Sequence, residues 1–462
     1  MKHDARKTAL QILVKIQGKR LPLDRAIEDF QNTINAMDPR DRRLMNAIVY
    51  GVLRWRSRLD RVIAESSRTS ILKIEPGIRD ILRMALFQLI YLDRVPESAA
   101  INTAVELAKE TSTSRGAAGF VNGVLRNAQK IWKKVYDPPE NLPLVQKLSW
   151  KHAVPEWMME GWVSRFGEER ATLLASSINR IPSMTLRANT LKTSPQKLFE
   201  TLQGKMGEIS MNAWLSEAID FSHPDGAIDK LPGFKDGLFQ IQDAAAQLVT
   251  HFLSPRQGER ILDACAGYGG KTGHIAQYMK DKGEIFAVDL SSAKLKRLEH
   301  EMQRLGVTSV QAKPLDLSRE DLALSMGRFD RILLDAPCSG MGVIRRNPDI
   351  KWNRRPESLK DFSERQGLLL ENLAKALKPG GLLVYAVCST EPEEGLDVIE
   401  SFLEKHPEMK REKPGIDFPE RARALFTEKG DFMPWQESFE LDGFYACALR
   451  KGGKRKLVGS SS

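Results

Sequence analysis

ERILDACAGYGGKTGHIAQYMKDKGEIFAVDL, residues 259–290, is the stretch on which the fold turns. Two apolar strand-like runs flank a segment from Thr272 to Lys280 with helical spacing, and the first run ends in a cluster of small residues. A strand, a helix and a second strand in this order make a parallel pair. The alternation continues outward from it. SVQAKPLDL, RFDRILLDAPC, GLLVYAVCS and GFYACALRK read as further strands, and Ala293–Leu305, Gln366–Leu377 and Glu394–Lys405 as helices. Helices stop at Gly306 and before Pro379-Gly380-Gly381, as helix-ending residues require. Residues 239–452 are therefore expected to form a doubly wound α/β domain, whose ligands sit beyond the carboxyl ends of the strands.

The chain has 462 residues, more than one core holds, since cores stop growing at roughly 250–300 residues. From Met1 to about Trp132 apolar residues recur at helical spacing, as in Leu10, Leu13, Val14 and in Ile81, Leu82, Ala85, Leu86, Leu89. Asp137, Pro138 and Pro139 break that pattern, so an all-helical domain is expected over residues 1–139. Residues 144–238 carry shorter signals: helices near Glu156–Phe166 and Glu169–Ser177, a strand over Ser183–Thr190 and a helix starting at Ser194. A small mixed α/β segment is expected there.

The net charge of +10 is unevenly placed. Residues 1–134 hold 25 Lys and Arg against 14 Asp and Glu, while the remainder is balanced at 45 against 46. A basic excess confined to one end fits a polyanionic partner, nucleic acid first, although a solvated basic helix surface gives the same count. With 42% hydrophobic and 28% charged residues the chain should fold. No segment approaches the roughly 18 apolar residues of a membrane span, and the amino terminus lacks the apolar core of a signal peptide. A cytoplasmic protein is expected. Cys265, Cys338, Cys388 and Cys447 form no C-x-x-C pair, so neither a metal site nor a disulfide framework is expected.

The loop DACAGYGGKT, Asp263–Thr272, joins the first strand directly to a helix. Small residues let a ligand approach the backbone, and the helix amino terminus favours a negative group. A dinucleotide fingerprint starting at Gly267 fails at Thr272, and a Walker A loop ending in Gly270-Lys271-Thr272 fails at Cys265, although RILLDAP mimics a Walker B strand. S-adenosylmethionine is the remaining candidate. It needs an acid for the ribose hydroxyls about 20 residues on, where Asp289 ends the second strand. Asp316 ends the third strand, where an acid meets the adenine edge or merely forms a turn. Asp263, Asp289, Asp316 and Asp335 thus mark successive strand ends.

Cys338 closes the fourth strand and Cys388 the fifth, so the fold directs two thiols toward one crevice. Carbon 5 of cytosine becomes nucleophilic once a thiolate adds to carbon 6. Asp335 is placed to bridge to ring nitrogen 3, and a second cysteine to help remove the carbon 5 proton. Chemistry alone does not choose between the two thiols. Cys265 and Cys447 read as inert small hydrophobes.

DAPCSGMGVIRRNPDIKW (Asp335–Trp352), YAVCST followed by Glu393-Glu394, DACAGYGGKT and Gln242-Asp243 resemble the Sun family, also called Fmu or RsmB: bacterial RNA (cytosine-5)-methyltransferases acting on small-subunit (16S) ribosomal RNA. DRRLMNAIVYGVLR, ILRMALFQLIYLDRVPESAAINTAVELAK and GFVNGVLR look like the NusB-like helical domain that this subfamily carries. The resemblance implies a NusB-like RNA-binding domain at the amino terminus and a Rossmann-like methyltransferase domain at the carboxyl terminus. It implies Cys388 as nucleophile, Cys338 as the cysteine of product release and Asp335 as the acid shared by cofactor and base. Ala264, Cys265, Ala266, Gly267, Tyr268, Gly269, Gly270 and Lys271, with Asp289, Asp316 and Asp335, fall on its cofactor positions. The family loop A-A-P-G-G-K-T departs here, because Gly267-Tyr268 replaces Ala-Pro. Ribosomal RNA is the expected partner of a monomer. The alternatives are the same reaction on tRNA and a non-catalytic RNA-binding assembly or antitermination factor. If the middle segment rather than the helical domain holds RNA, Arg187 and Lys192 are the candidate contacts.

Overall fold

The computed structural model describes residues 4–19, 21–112, 114–222, 227–319, 322–436 and 440–453. The chain divides into two compact units, one made of Met1–Ile181 with Ile344–Arg354, the other of Pro182–Val343 with Arg355–Ser462. No described helix is long and apolar enough to cross a membrane.

Among its described residues the first unit has helices and no strands, the main helices being Ala5–Lys19, Pro39–Ser66, Pro76–Tyr91, Glu97–Thr111, Ala117–Val135, Leu144–His152 and Glu156–Ser177. The apolar stripes of the first five helices meet in one core that includes Ile12, Leu13, Ile48, Val52, Ile81, Leu86, Ile101, Val121 and Leu125. Pro39 opens the longest helix at a position where no donor is lost, and Asp38 caps it by accepting from Arg40 N. Gly51 lets Phe87 close against the same helix, since a Cβ there would lie 2.0 Å from Phe87 Cζ. The helix Glu156–Ser177 breaks at Gly167, whose φ of 75° is left-handed, in agreement with the two shorter helices expected on either side.

Residues 344–354 follow the Cys338 motif in sequence yet belong to this helical unit. The Lys351 side chain is buried and its Nζ donates to Arg54 O (2.7 Å), Ala153 O (2.8 Å) and Asn179 Oδ1 (3.2 Å). Trp352 Nε1 donates to Leu53 O at 2.6 Å, and Leu23 N donates to Asp349 Oδ2 at 3.1 Å. Arg54 returns the bond by donating to Arg345 O at 3.0 Å. Nothing in the sequence marks this excursion, because DIKW has no periodicity that assigns it to either unit.

The second unit contains two sheets. Strands β1 (Met184–Ala188), β2 (Ile209–Met211), β3 (Ala218–Phe221) and β4 (Phe239–Ile241) form an antiparallel sheet in the order β2-β3-β1-β4. Leu186, Ala188, Ile219, Phe221 and Phe239 pack with Leu198 and Leu202 of the helix Pro195–Leu202, which starts after the Ser194 cap as expected. Of the mixed segment expected over residues 144–238, the strand and the helix after Ser194 lie in this sheet unit, whereas the helices of residues 144–177 lie in the first unit and β4 falls beyond residue 238.

The larger sheet comprises β5 (Arg260–Ala264), β6 (Glu284–Asp289), β7 (Val310–Pro314), β8 (Phe329–Asp335), β9 (Leu377–Val387), β10 (Met409–Glu412) and β11 (Tyr445–Lys451), in the order β10-β11-β9-β8-β5-β6-β7. β5 to β9 pair in parallel, and β10 and β11 close one edge antiparallel. Side chains alternate between two cores, as the period of two demands. Ile261, Ile285, Ala287 and Leu333 face one core, while Leu262, Val288, Ile332 and Leu334 face the other. This is the doubly wound architecture expected from the sequence. Two boundaries differ. The helix expected from Gln366 starts at Pro356, because its first turns are mostly polar, with Leu359 the one buried apolar residue ahead of Leu369, Leu370 and Leu373. The strand expected from Gly381 starts at Leu377 and includes the proline and both glycines, with Gly380 at φ 79°.

Lys351→Ala leaves two carbonyls and an amide oxygen without their donor, so it should lower the stability of the protein by about 2–4 kcal/mol. Thermal unfolding of the full chain checks this, and an unchanged midpoint would show that the segment is not held by its lysine.

Candidate active site

β5 ends at Ala264 because Cys265 takes the left-handed conformation, φ 62°, and turns the chain out of the sheet. Gly267 (φ 58°) and Gly269 (φ 83°) continue the turn in conformations that favour glycine. Ala266 N donates to Val288 O at 2.9 Å and Gly267 N to Asp289 Oδ2 at 3.0 Å, so the loop is tied to the end of β6. At Gly269 a Cβ would lie 2.7 Å from Leu298 Cγ, whereas at Gly267 it would meet nothing nearer than Cys265 O at 4.0 Å. The loop therefore packs on one side and presents bare backbone on the other. No side chain caps the helix Gly270–Tyr278 that follows, which leaves its first N–H groups for a ligand. With the Asp289 carboxylate beside it, this arrangement fits the charged tail and ribose of an S-adenosyl cofactor.

The Tyr268 side chain is part exposed and lies against two cations, with Arg297 Cζ 5.5 Å and Lys294 Nζ 5.9 Å from its ring centre. Asp316 lies two residues beyond β7 and accepts from both Ser318 N (3.1 Å) and Ser318 Oγ (2.6 Å). These bonds hold its carboxyl below the ordinary aspartate range. It forms the turn whatever else it does.

β8 and β9 run in parallel with Asp335 opposite Ala386, so the chains leaving them start level. Cys338 Sγ and Cys388 Sγ lie 3.2 Å apart. The hydrogen bond to Cys388, then burial, then the negative charges of Cys388 and Glu394 push the Cys338 thiol well above the ordinary cysteine range. Lys271 Nζ donates to Asp335 Oδ2 at 2.6 Å. Burial works against the Lys271 charge, but Asp335, and then the Cys388 sulfur, hold its pKa above the ordinary lysine value. Lys271 thereby joins the end of the glycine-rich loop to the acid that closes β8. The other two thiols have no such setting. Burial, with Asp289 and Asp335 adding to it, pushes Cys265 up to about 12, and burial likewise raises Cys447.

The expectation that Arg187 contacts RNA is overturned. Its guanidinium is buried and donates to Gly270 O (2.9 Å), Gln240 Oε1 (2.9 Å), Gln277 Oε1 (3.1 Å) and Gln242 Oε1. The period of two in MTLRA puts it on the face of β1 opposite Leu186 and Ala188, and that face is buried too, against Gly270 and Gln277. Lys192 is exposed, but its ammonium is committed to Asp236 O and Arg304 O, both at 2.9 Å. Glu217, His251 and His274 converge nearby, with Glu217 accepting from His251 and lying 3.7 Å from His274 Nε2. Glu217 also offsets the Arg187 charge, which burial pulls down to a pKa of about 9.

Sequence comparison places the chain. Residues 250–450 match the family model of the 16S rRNA methyltransferase RsmB/F, residues 3–130 that of the NusB family, and residues 154–227 that of the RsmF/B-like ferredoxin-like domain. A probable ribosomal RNA small subunit methyltransferase B of Bacillus subtilis is 33% identical over 98% of this chain and 100% of its own length. Its counterpart in Synechocystis is 36% identical over 93% of this chain and 94% of its own length. The chain belongs to the RsmB/F family of 16S rRNA methyltransferases. The crystal structure of a methyltransferase homologue from Pyrococcus horikoshii aligns with 67% of the chain and 99% of its own, at 29% identity and a TM-score of 0.56. A second structure from that organism, NSun6 with SFG, shares the fold at 23% identity and a TM-score of 0.56.

Sequence reasoning gave Asp263 a strand-end place in the ligand crevice. Its side chain is instead buried, accepting from Thr272 Oγ1 at 2.6 Å. Burial, opposed by that bond and reinforced by Asp335 and Asp289, pushes its pKa up to about 7. The folded protein thus keeps a proton that the unfolded chain releases near the ordinary aspartate value of 3.8. The unfolded state binds fewer protons in this window, so the contribution of Asp263 to stability falls as pH rises from about 4 to 7. Asp263→Asn keeps an acceptor for Thr272 and removes that fall. Its unfolding free energy should drop by about 2–3 kcal/mol less than that of the wild type between pH 5 and pH 8. Denaturant titrations at the two pH values test this, and parallel losses in both proteins would contradict it.

Proposed function

We propose that this protein methylates carbon 5 of a cytosine in small-subunit ribosomal RNA through a covalent bond between Cys388 and carbon 6 of the base. The observation that carries the reading is the pair of sulfurs 3.2 Å apart beside the Lys271–Asp335 ion pair. An RNA-binding factor without catalysis has no use for two thiols in contact at strand ends.

Residues 264–271 and Asp289 would hold S-adenosylmethionine, which supplies a methyl group on a positively charged sulfur. Asp316, in its turn beyond β7, would stand toward the adenine. Cys388 attacks carbon 6 as a thiolate, forming a carbon–sulfur bond and passing electron density through the ring to carbon 5. A proton shared between Asp335 and ring nitrogen 3 neutralises the charge that develops there during the addition. Lys271 holds Asp335 in place. After carbon 5 has taken the methyl group it still carries its proton. Removal of that proton restores the ring double bond and expels the Cys388 sulfur. Cys338, in contact with that sulfur, serves this release. The setting of Cys338 supports the division of labour. The hydrogen bond with Cys388, then burial and the negative charges of Cys388 and Glu394, keep its proton on while Cys388 is the free nucleophile. Once the Cys388 sulfur is bonded to carbon 6, Cys338 gives that proton to solvent and takes the one from carbon 5. The basic helical unit supplies the phosphate contacts.

The two cysteines should fail differently. Cys388→Ala should abolish both turnover and adduct, whereas Cys338→Ala should still attack and accumulate a protein–RNA adduct that survives a denaturing gel. Accumulation in Cys388→Ala instead would reverse the roles. Asp289→Ala should weaken cofactor binding by about 1–3 kcal/mol, and calorimetric titration showing unaltered affinity would remove Asp289 from the site.

A further inference from the structure

Glu394 is fully buried in the short turn Pro392–Glu394 that follows Cys388. Its carboxylate takes donors from both cysteine loops. Oε1 accepts from Ser339 N at 2.7 Å and Gln366 Nε2 at 3.2 Å. Oε2 accepts from Ser389 Oγ at 2.6 Å and from Ser339 Oγ. Ser339 follows Cys338 and Ser389 follows Cys388. Gln366 Nε2 also donates to Pro337 O at 3.0 Å, so the peptide carrying Cys338 is gripped on both sides. Tyr385 Oη donates to Glu394 O at 2.5 Å and fixes the turn to β9. Gly342 N donates to Cys388 O at 3.0 Å, a second tie between the loops. A carboxylate accepts and never donates, which suits a site surrounded by donors, and charge-assisted bonds are roughly twice as strong as neutral ones.

We propose that Glu394 is a positioning residue for the two thiols: its one buried carboxylate clamps both loops, holds the sulfurs in contact and turns a negative charge on Cys338. This rests on the covalent reading of the site, to which it adds a part that touches neither base nor cofactor. The charge acts in the direction expected, since Glu394 is among the groups that raise the Cys338 pKa.

Glu394→Gln separates clamp from charge. The amide keeps the size, the serine hydroxyls can turn to accept from its NH2, and the negative charge is gone. The readout is the alkylation rate of Cys338 and Cys388 by iodoacetamide, resolved by mass spectrometry across a pH series on the full chain, which needs neither RNA nor cofactor. In E394Q the Cys338 profile should move down by roughly one pH unit. E394A, which loses the clamp as well, should lower kcat for RNA methylation about 100-fold, the scale of a misplacement near 1 Å, with the cofactor KM within about twofold. An unmoved Cys338 profile in E394Q overturns the proposal whatever the turnover, because lost activity alone follows from disturbed packing. If E394A does not fold, the E394Q profile decides. A moved Cys338 profile in E394Q together with a Cys338→Ala variant that forms no RNA adduct contradicts the covalent reading and leaves the clamp standing.

Discussion

The parallel pairing of β8 with β9 is the constraint on which the chemistry depends. Because Asp335 stands opposite Ala386, the two chains leave the sheet at the same level, and three residues beyond Asp335 and two beyond Ala386 both carry a thiol. Parallel strands need a long crossover between them, here containing the helix Pro356–Lys375. The sulfurs are therefore 50 residues apart in sequence and 3.2 Å apart in space. A one-residue slip in this register would send one thiol to the opposite face.

Around this pair the unit distributes buried charge so that each ion has a partner or a purpose. Lys271 takes Asp335, and Glu394 takes the donors that flank both cysteines. Arg187 reaches from the small antiparallel sheet to the carbonyl of Gly270, which ties that sheet to the start of the cofactor helix. The small sheet thereby braces the glycine-rich loop. In the helical unit Lys351 and Trp352 do similar work with backbone carbonyls, so the segment that follows the Cys338 motif is part of that unit's interior. A chain beginning near residue 139 would lack the Arg54 and Leu53 carbonyls that this segment requires. Intact protein is the proper object for RNA-binding measurements.

Much of this was legible in the sequence because it obeys simple periods. The strand runs around Ile261, Ile285, Ile332 and Val384 and the helical spacing of Leu10 to Leu89 are dictated by burial, and the structure follows them. Gly167 and Ser194 announced a break and a cap. The thiols were legible as a pair because both follow strands, but their roles were not, since the proton preference of Cys338 comes from its contact with Cys388, from burial and from the Glu394 carboxylate, none of which the sequence displays. Arg187 misled because a buried arginine satisfied by amide and carbonyl oxygens looks in sequence like an exposed one. Asp263 misled because a strand-end acid can point inward to a threonine as easily as outward to a ligand. Gln366 and Glu394 sit in windows that are polar for other reasons, and only the fold brings them to the same peptide.

The most direct test of the account is to incubate the intact protein with methyl-labelled S-adenosylmethionine and separated cellular RNAs, then map the modified base. The account predicts label on carbon 5 of a cytosine in small-subunit ribosomal RNA. Label confined to tRNA, label at a position other than carbon 5, or no transfer to any RNA would contradict it.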